Sequence, residues 1–308
     1  MNNGISLQNI SKTYKKSNVT AVNDASFVVR CGELFGLIGP DGAGKTTIFR
    51  ILTTLLLPDK GTASVSNYDV VKDYKAIRGI LGYMPGKFSL YRDLTVEENL
   101  NFFATVFGTT IEKNYNLIKE IYVQLEPFKT RRAGDLSGGM KQKLALCCAL
   151  IHKPVVLFLD EPTTGVDAIS RKEFWEMLKR LQKQEITILV STAYMDEAQL
   201  CDRIALIQNG KILSIDTPEN IINSYPERLY AVRSDSPHKL LKDLKNYHEI
   251  YNCYTFGEYL HFSFKSEDEN SGERLLKYLK EKKHEDIDLK LIKPGIEDCF
   301  LKLLKIEK

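Results

Sequence analysis

The chain has 308 residues, of which 43% are apolar, which is enough to bury a core in one or two domains. Its 43 basic and 40 acidic residues give a net charge of +3, and this near balance argues against nucleic acid as a partner. The N-terminus lacks the pattern of a signal peptide, and no stretch approaches the ~20 apolar residues of a membrane-spanning helix. We therefore expect a cytoplasmic protein that reaches a membrane only through partners.

The first predicted elements are strands. Alternating or continuous apolar residues predict strands at 5–10, 20–30 and 34–38. A glycine-rich loop follows the third strand. A helix is then predicted over about 45–57, where a Pro-Asp-Lys-Gly turn ends it.

Residues 86–152 are predicted to be largely helical. Thr95 and Glu98 have the spacing of a capping box, so a helix should begin directly after Thr95. An apolar stripe at three- and four-residue spacing indicates a core or subunit-contact face of that helix. The stripe consists of Leu100, Phe103, Ala104 and Phe107.

Strands and helices alternate in the next part of the chain. Strands are predicted at 155–159, 186–191 and 203–207, and helix-like segments at 171–182 and 195–200. This alternation is typical of a parallel α/β sheet with helices packed on it.

The pattern changes near residue 224, where we place a domain boundary between 1–223 and 224–308. The second part predicts a β-α-β-β-α-β order followed by a final helix from Ile296. We therefore expect a small accessory domain with a ferredoxin-like α+β fold.

The loop after the third strand matches the phosphate-binding pattern G-x-x-x-x-G-K-[ST]. Glycines let backbone N–H groups approach a phosphate chain, and the helix that follows adds its positive N-terminal end. Lys45 is expected to contact the β- and γ-phosphates of ATP, and Thr46 is expected to bind Mg²⁺. The candidate ATP-binding residues are Gly39, Pro40, Asp41, Gly42, Ala43, Gly44, Lys45, Thr46 and Thr47.

Two carboxylates, Asp160 and Glu161, follow the apolar strand 155–159. The carboxyl edge of a parallel sheet is where ligands bind in such folds. We predict that Asp160 holds Mg²⁺ and that Glu161 is the catalytic base or orients the attacking water. The alternative is that both residues only cap the loop before Pro162.

Residues 136–142 read Leu-Ser-Gly-Gly-Met-Lys-Gln and open another predicted helix. Ser137 is a suitable N-cap, and the two glycines expose backbone N–H groups. Taken alone, this pattern predicts only a capped helix start.

Together, the phosphate loop, the 136–142 signature and the Val-Val-Leu-Phe-Leu-Asp-Glu-Pro-Thr segment at 155–163 resemble the nucleotide-binding domain of ABC transporters. The resemblance covers about residues 4–222. It implies a parallel-sheet core, an antiparallel β subdomain and a helical subdomain at about 86–152.

The resemblance further implies that two such domains meet head to tail and share each ATP. The signature residues Ser137, Gly138 and Gly139 would then contact the nucleotide in trans. Tyr14 falls where the family stacks an aromatic ring on adenine, although a surface tyrosine without that role is the alternative.

Two positions depart from the family pattern. Gly86 stands where the family has a glutamine, and Ala193 stands where it has a histidine. Neither side chain can hold water, Mg²⁺ or the γ-phosphate. The site is therefore either weakened, with a regulatory role beside a complete partner site, or fully active by another route.

The segment 292–301 resembles the closing motif of an extra domain found in many ABC exporters of the type-two class. Taken together, the resemblances imply an ATPase subunit that binds ATP and Mg²⁺ and powers export by separate integral membrane permease subunits. A second ABC ATPase domain would complete a homodimer or heterodimer, peripheral on the cytoplasmic face of the membrane. The alternatives are a largely non-hydrolytic regulatory module and, less favoured, a soluble ABC ATPase of translation or DNA repair.

Overall fold

The computed structural model describes residues 3–266, 268 and 270–306. The chain divides into a first unit, Met1–Ile221, and a second unit, Ile222–Lys308. A six-stranded and a four-stranded sheet lie in the first unit, and a four-stranded sheet lies in the second.

The strands of the first unit are, in chain order, β1 (Asn3–Tyr14), β2 (Val19–Arg30), β3 (Leu34–Ile38), β4 (Lys60–Val65), β5 (Tyr68–Asp69), β6 (Leu81–Met84), β7 (Val156–Asp160), β8 (Thr187–Thr192), β9 (Arg203–Gln208) and β10 (Lys211–Asp216). Up to residue 223 the α-helices are α1 (Lys45–Leu52), α2 (Tyr74–Ile80), α3 (Val96–Val106), α4 (Ile111–Tyr122), α5 (Gly138–Leu150), α6 (Ala168–Gln182) and α7 (Pro218–Asn223). Three short 3-10 helices span Glu126–Phe128, Ala133–Asp135 and Met195–Leu200.

The six-stranded sheet has the order β10-β9-β3-β8-β7-β6. Its strands pair in parallel except β10, which is antiparallel to β9. This confirms the predicted parallel α/β sheet. Because β3, β8 and β7 are neighbours and run the same way, the loops at their carboxyl ends meet at one edge.

The central strands are buried on both faces. Every residue of β3, β7 and β8 is buried, which explains the apolar runs Leu34–Ile38, Val156–Leu159 and Ile188–Val190 within them. Phe49 of α1 packs edge-on against Phe158 of β7, with ring centroids 6.1 Å apart. The helix that follows the phosphate loop is thus fixed against the sheet that carries the carboxylates.

The antiparallel sheet has the order β2-β1-β4-β5, as expected for an antiparallel β subdomain.

In the helical subdomain, the capping box predicted at Thr95 is confirmed. The side chain of Thr95 accepts a hydrogen bond from Glu98 N, and the side chain of Glu98 accepts one from Thr95 N. Of the predicted apolar stripe, Leu100 and Ala104 are buried, whereas Phe103 is only partly buried.

The predicted end of the first helix is wrong, because α1 ends at Leu52 and not at about residue 57. Thr53 donates its hydroxyl to Phe49 O at 2.8 Å, and Thr54 has a left-handed backbone with φ 62°. Two successive β-branched residues disfavour the helix, and the left-handed residue terminates it.

The second unit contains β11 (Leu229–Arg233), α8 (Pro237–Asn246), β12 (Ile250–Phe256), β13 (Tyr259–Phe264), α9 (Ser271–Glu281), β14 (Asp288–Ile292) and α10 (Ile296–Ile306). Its sheet has the order β12-β13-β11-β14 with antiparallel pairs, which is a split β-α-β arrangement. Asp298 fixes the start of α10, since it accepts from Gly295 N and contacts His261 Nδ1, both at 2.8 Å.

Candidate functional site

The phosphate loop connects β3 to α1, and its backbone path requires glycine at two positions. A Cβ atom on Gly39 would lie 2.2 Å from Ile207 O. Gly44 has φ 106°, and a Cβ there would lie 2.2 Å from Ala21 O. A side chain at either position would displace neighbouring backbone, so the loop keeps the open form that admits a phosphate chain.

Lys45 is buried at the start of α1, with 3% of its surface exposed. Its Nζ donates to Gly39 O at 2.7 Å and to Pro40 O at 3.0 Å, and lies 3.0 Å from Glu161 Oε1. The structure therefore brings together the cation of the phosphate loop and the carboxylate predicted to be catalytic.

Asp160 ends β7 and is 2% exposed. Its Oδ1 accepts from Ser191 Oγ at 2.6 Å, and the Thr46 side chain also hydrogen-bonds to it. Burial raises the pKa of Asp160, while the hydrogen bonds from Ser191 and Thr46 act in the opposite direction. A cation bound there would favour the ionised carboxylate.

Thr46 and Asp160 supply a hydroxyl and a carboxylate oxygen at one point, which fits Mg²⁺. This ion takes oxygen ligands and is commonly held by one or two protein groups together with nucleotide phosphates. Among the described residues, no group of three or more His, Cys, Asp or Glu side chains is arranged to hold a metal ion. Thr46 and Asp160 are the residues of this site that would hold the ion.

Glu161 has a left-handed backbone with φ 51°. This conformation costs a residue other than glycine about 1–2 kcal/mol. The Glu161 N–H donates both to Ser191 O at 3.1 Å and to Ser191 Oγ at 2.9 Å, which holds the turn in place. The Glu161 side chain is consequently directed to Lys45 rather than into the sheet.

A buried hydrogen-bond network beside the site was not anticipated from the sequence. Glu197 is 2% exposed, and its carboxylate accepts from Thr192 Oγ1 at 2.6 Å and from Thr163 Oγ1 at 2.8 Å. The signal in the sequence was the Ser191-Thr192 pair at the carboxyl end of a buried strand, next to the strand that carries Asp160.

Tyr14 ends β1 and reaches the phosphate-loop helix, with its hydroxyl 3.3 Å from Thr47 Oγ1. Thr47 is buried in the first turn of α1. The structure thus joins Tyr14 to the predicted ATP-binding residues, and its stacking on adenine stays a prediction.

The signature lies at the start of α5, where Ser137 is the N-cap as predicted and accepts from Met140 N at 3.3 Å. A Cβ on Gly138 would lie 3.5 Å from Gly165 O, and one on Gly139 would lie 2.8 Å from Ser170 Oγ. The signature is therefore packed beside residues 165–170 of the same unit. A contact with nucleotide held by another chain stays a prediction.

Both departures from the family pattern border this site. A Cβ on Gly86 would lie 3.0 Å from Asp160 O, so the glycine faces the backbone of the carboxylate pair. Ala193 directly follows Thr192 and is partly buried. Gly86 thus lies beside the carboxylate pair, and Ala193 lies two residues after Ser191, which bonds to Asp160.

Comparison with known proteins agrees with this geometry. The family model described as ABC transporter matches residues 22–164. The chain is 43% identical over 237 residues to the probable multidrug ABC transporter ATP-binding protein YbhF of Escherichia coli, over 76% of this chain and 41% of that protein. It therefore spans less than half the length of that relative.

Two further relatives are informative. The Nod factor export ATP-binding protein I of a Rhizobium species is 34% identical over 305 residues, which are 97% of this chain and 96% of that protein. A solved ATP binding subunit of an ABC transporter superposes with a TM-score of 0.65 at 27% identity, over 72% of this chain and 92% of that one. This chain is therefore a member of the ABC transporter family of ATP-binding proteins.

Proposed function

We propose that this chain is an ATPase subunit that couples ATP binding and hydrolysis to export by separate membrane permease subunits. The observation that carries the proposal is the convergence of Lys45, Asp160 and Glu161 at one edge of the parallel sheet. A phosphate cradle, a ligand for Mg²⁺ and a carboxylate base are the parts that phosphoryl transfer to water requires.

Each residue has a distinct task in this proposal. Lys45 exchanges its contact with Glu161 for the β- and γ-phosphates of ATP. Thr46 and Asp160 would hold Mg²⁺, which when bound would supply positive charge beside the transferring phosphoryl group. Glu161, released from Lys45, orients the attacking water and accepts its proton.

Lys45→Ala should weaken ATP binding by about 10–100-fold, because a charge-assisted hydrogen bond contributes about 1.5–3 kcal/mol. Isothermal titration calorimetry with Mg-ATP measures this change. Lys60→Ala, which removes an exposed lysine from β4, is the matched control and should leave affinity unchanged. Equal ATP affinity in the wild type and Lys45→Ala, both folded by circular dichroism, would remove the proposed nucleotide site.

A second ABC ATPase domain, identical or different, is proposed to close head to tail on this one. The ATP held by the phosphate loop of the second domain would then contact Ser137, Gly138 and Gly139 of this chain. Their positions at a helix N-terminus suit an anion. Tyr14 is proposed to stack on the adenine of the ATP held by its own chain.

Gly138→Asp should prevent ATP-dependent dimerisation when combined with Glu161→Gln, which traps ATP. Two unit charges about 4 Å apart near a protein surface repel by on the order of 4 kcal/mol. Gly138 suits the test better than Gly139, since a Cβ on Gly139 would already press on Ser170. Gly138→Asn, equal in size but uncharged, is the control. A dimer that persists with Gly138→Asp on a sizing column would contradict the head-to-tail arrangement.

The permease subunits are proposed to dock on a groove between the parallel sheet and the helical subdomain. The groove has a volume of about 460 Å³ and a mostly apolar lining that includes Tyr83, Phe103, Phe107 and His152. Phe107 stacks on His152 with ring centroids 3.8 Å apart, and the two rings together form part of the lining of the groove. None of the helices in the described part of the chain has the length and apolar composition to span a bilayer. A peripheral place on the cytoplasmic face of the membrane, reached through these subunits, therefore belongs to the proposal.

A weakened site is the second candidate, and the specific observation in its favour is the absence of polar side chains at Gly86 and Ala193. Both positions adjoin Asp160 or the end of β8. In this version the chain binds ATP tightly, hydrolyses it slowly and regulates a complete partner site. Turnover by the purified chain separates the two candidates.

A further inference from the structure

We propose that Ser191 is a positioning residue that sets the geometry of both carboxylates, Asp160 and Glu161, through a single buried hydroxyl. This inference rests on the proposed ATP hydrolysis for its kinetic consequence, but its consequence for metal binding does not require turnover. Ser191 is 0% exposed and lies in β8, directly beside Asp160 of β7 in the parallel register.

The hydroxyl makes two hydrogen bonds whose directions are fixed. The Glu161 N–H can only donate, so it occupies a lone pair of Ser191 Oγ at 2.9 Å. The only proton of the hydroxyl is then directed to Asp160 Oδ1 at 2.6 Å. The hydrogen bond from Ser191 thereby fixes the orientation of the Asp160 carboxylate, which keeps further acceptor sites for Thr46 or a metal ion.

The same hydroxyl stabilises the turn that presents Glu161. A left-handed backbone at this residue is strained, and the shared bond from its N–H to Ser191 O and Oγ offsets that strain. Without the hydroxyl, the Glu161 N–H keeps only the longer bond to Ser191 O. The carboxylate would then sample positions away from the attacking water.

Ser191 is itself held firmly by its neighbour. Thr192 is bonded to the buried carboxylate of Glu197, which Thr163 also binds. These bonds link the end of β8 to the loop that follows Glu161, so Ser191 cannot follow a displaced carboxylate. In a site with Gly86 and Ala193, this frame orders the carboxylates together with Thr46 and Lys45.

Ser191→Ala tests the inference with two measurements on the full chain. Partners of metal ligands typically contribute 10–100-fold to metal affinity or activity. We expect Mn²⁺ affinity in the presence of a non-hydrolysable ATP analogue, followed by electron paramagnetic resonance, to fall about 10-fold. The maximal ATP turnover should fall about 10–100-fold, while KM for ATP changes less than about 3-fold. Ser191→Thr, which keeps the hydroxyl, should restore most of both.

Thr187→Val is the matched control, because it removes another buried hydroxyl of β8 that bonds to Gly32 N instead of to the site. Equal losses in Thr187→Val and Ser191→Ala, or unchanged Mn²⁺ affinity and turnover in Ser191→Ala, would overturn the inference. Should Ser191→Ala not fold, Ser191→Cys replaces the hydroxyl by a slightly larger thiol, which is a weaker donor, and should show the same losses. A wild type without turnover contradicts the proposed hydrolysis, whereas the Mn²⁺ measurement still decides the role of Ser191.

Discussion

Glu161→Gln should lower the maximal ATP turnover by about 10²–10⁴-fold, the range that a general base contributes. The amide keeps the shape of the carboxylate but cannot take a proton from water. The same change should tighten ATP binding, because Lys45 no longer has a carboxylate 3.0 Å away that competes with the phosphates. Steady-state turnover and calorimetry on the same sample measure the two effects.

Lower turnover combined with tighter ATP binding in Glu161→Gln would distinguish the loss of the base from a general loss of structure. A general loss of structure would lower turnover and affinity together. Glu219→Gln, an exposed residue of α7, is the control and should change neither quantity. Turnover of Glu161→Gln within about 3-fold of the wild type would exclude Glu161 as the base.

Ala193→His should raise the maximal turnover by up to about 10²-fold, since a positioned donor to a transition-state oxygen is worth about 10²–10³-fold. ATP affinity should change little, because the gain belongs to the transition state. Ala193 is partly buried and directly follows Thr192 at the end of β8, the strand whose Ser191 bonds to Asp160. Ala193→Phe fills similar space without a donor and should give no gain.

A wild-type turnover of several per second that Ala193→His leaves unchanged would contradict the idea of a weakened site. Typical enzymes turn over at about 10 s⁻¹, so such a rate would mean that the site is complete. Restoring glutamine at Gly86 is less direct, because its Cβ would lie only 3.0 Å from Asp160 O. The effects of the two changes should not add, since both groups act on one transition state.

The elements that the sequence predicted well are those with a strong local pattern. Strands β3 and β7 are mostly apolar because they are buried on both faces, and the bounds of β3, β7 and β8 were predicted to within one residue. The elements of the second unit follow alternating or amphipathic patterns and occur in the predicted β-α-β-β-α-β order, with the last helix beginning at Ile296. Short elements such as α2, β5 and β10 lack such a pattern and were missed.

The candidate site was predictable where one contiguous motif carries the chemistry. The phosphate loop and the Asp160-Glu161 pair are of this kind, and the structure brings them together. The hydrogen bonds of Ser191 and Glu197 were not predictable, because they depend on which strands are neighbours and on the rotamers of buried hydroxyls. The left-handed backbone of Glu161 likewise leaves no mark in the sequence.

The close approach of Gly86 to the backbone of Asp160 has a consequence for how this protein can change over generations. A Cβ introduced at residue 86 would lie 3.0 Å from the Asp160 carbonyl oxygen, so the neighbouring backbone must give by a few tenths of an ångström to admit it. A single substitution to a larger residue therefore presses on the carboxylate pair unless the exposed loop around residue 86 shifts with it. Substitution at this position is thus coupled to the path of the loop, and a longer side chain is accommodated best together with a second change that moves the loop away from β7.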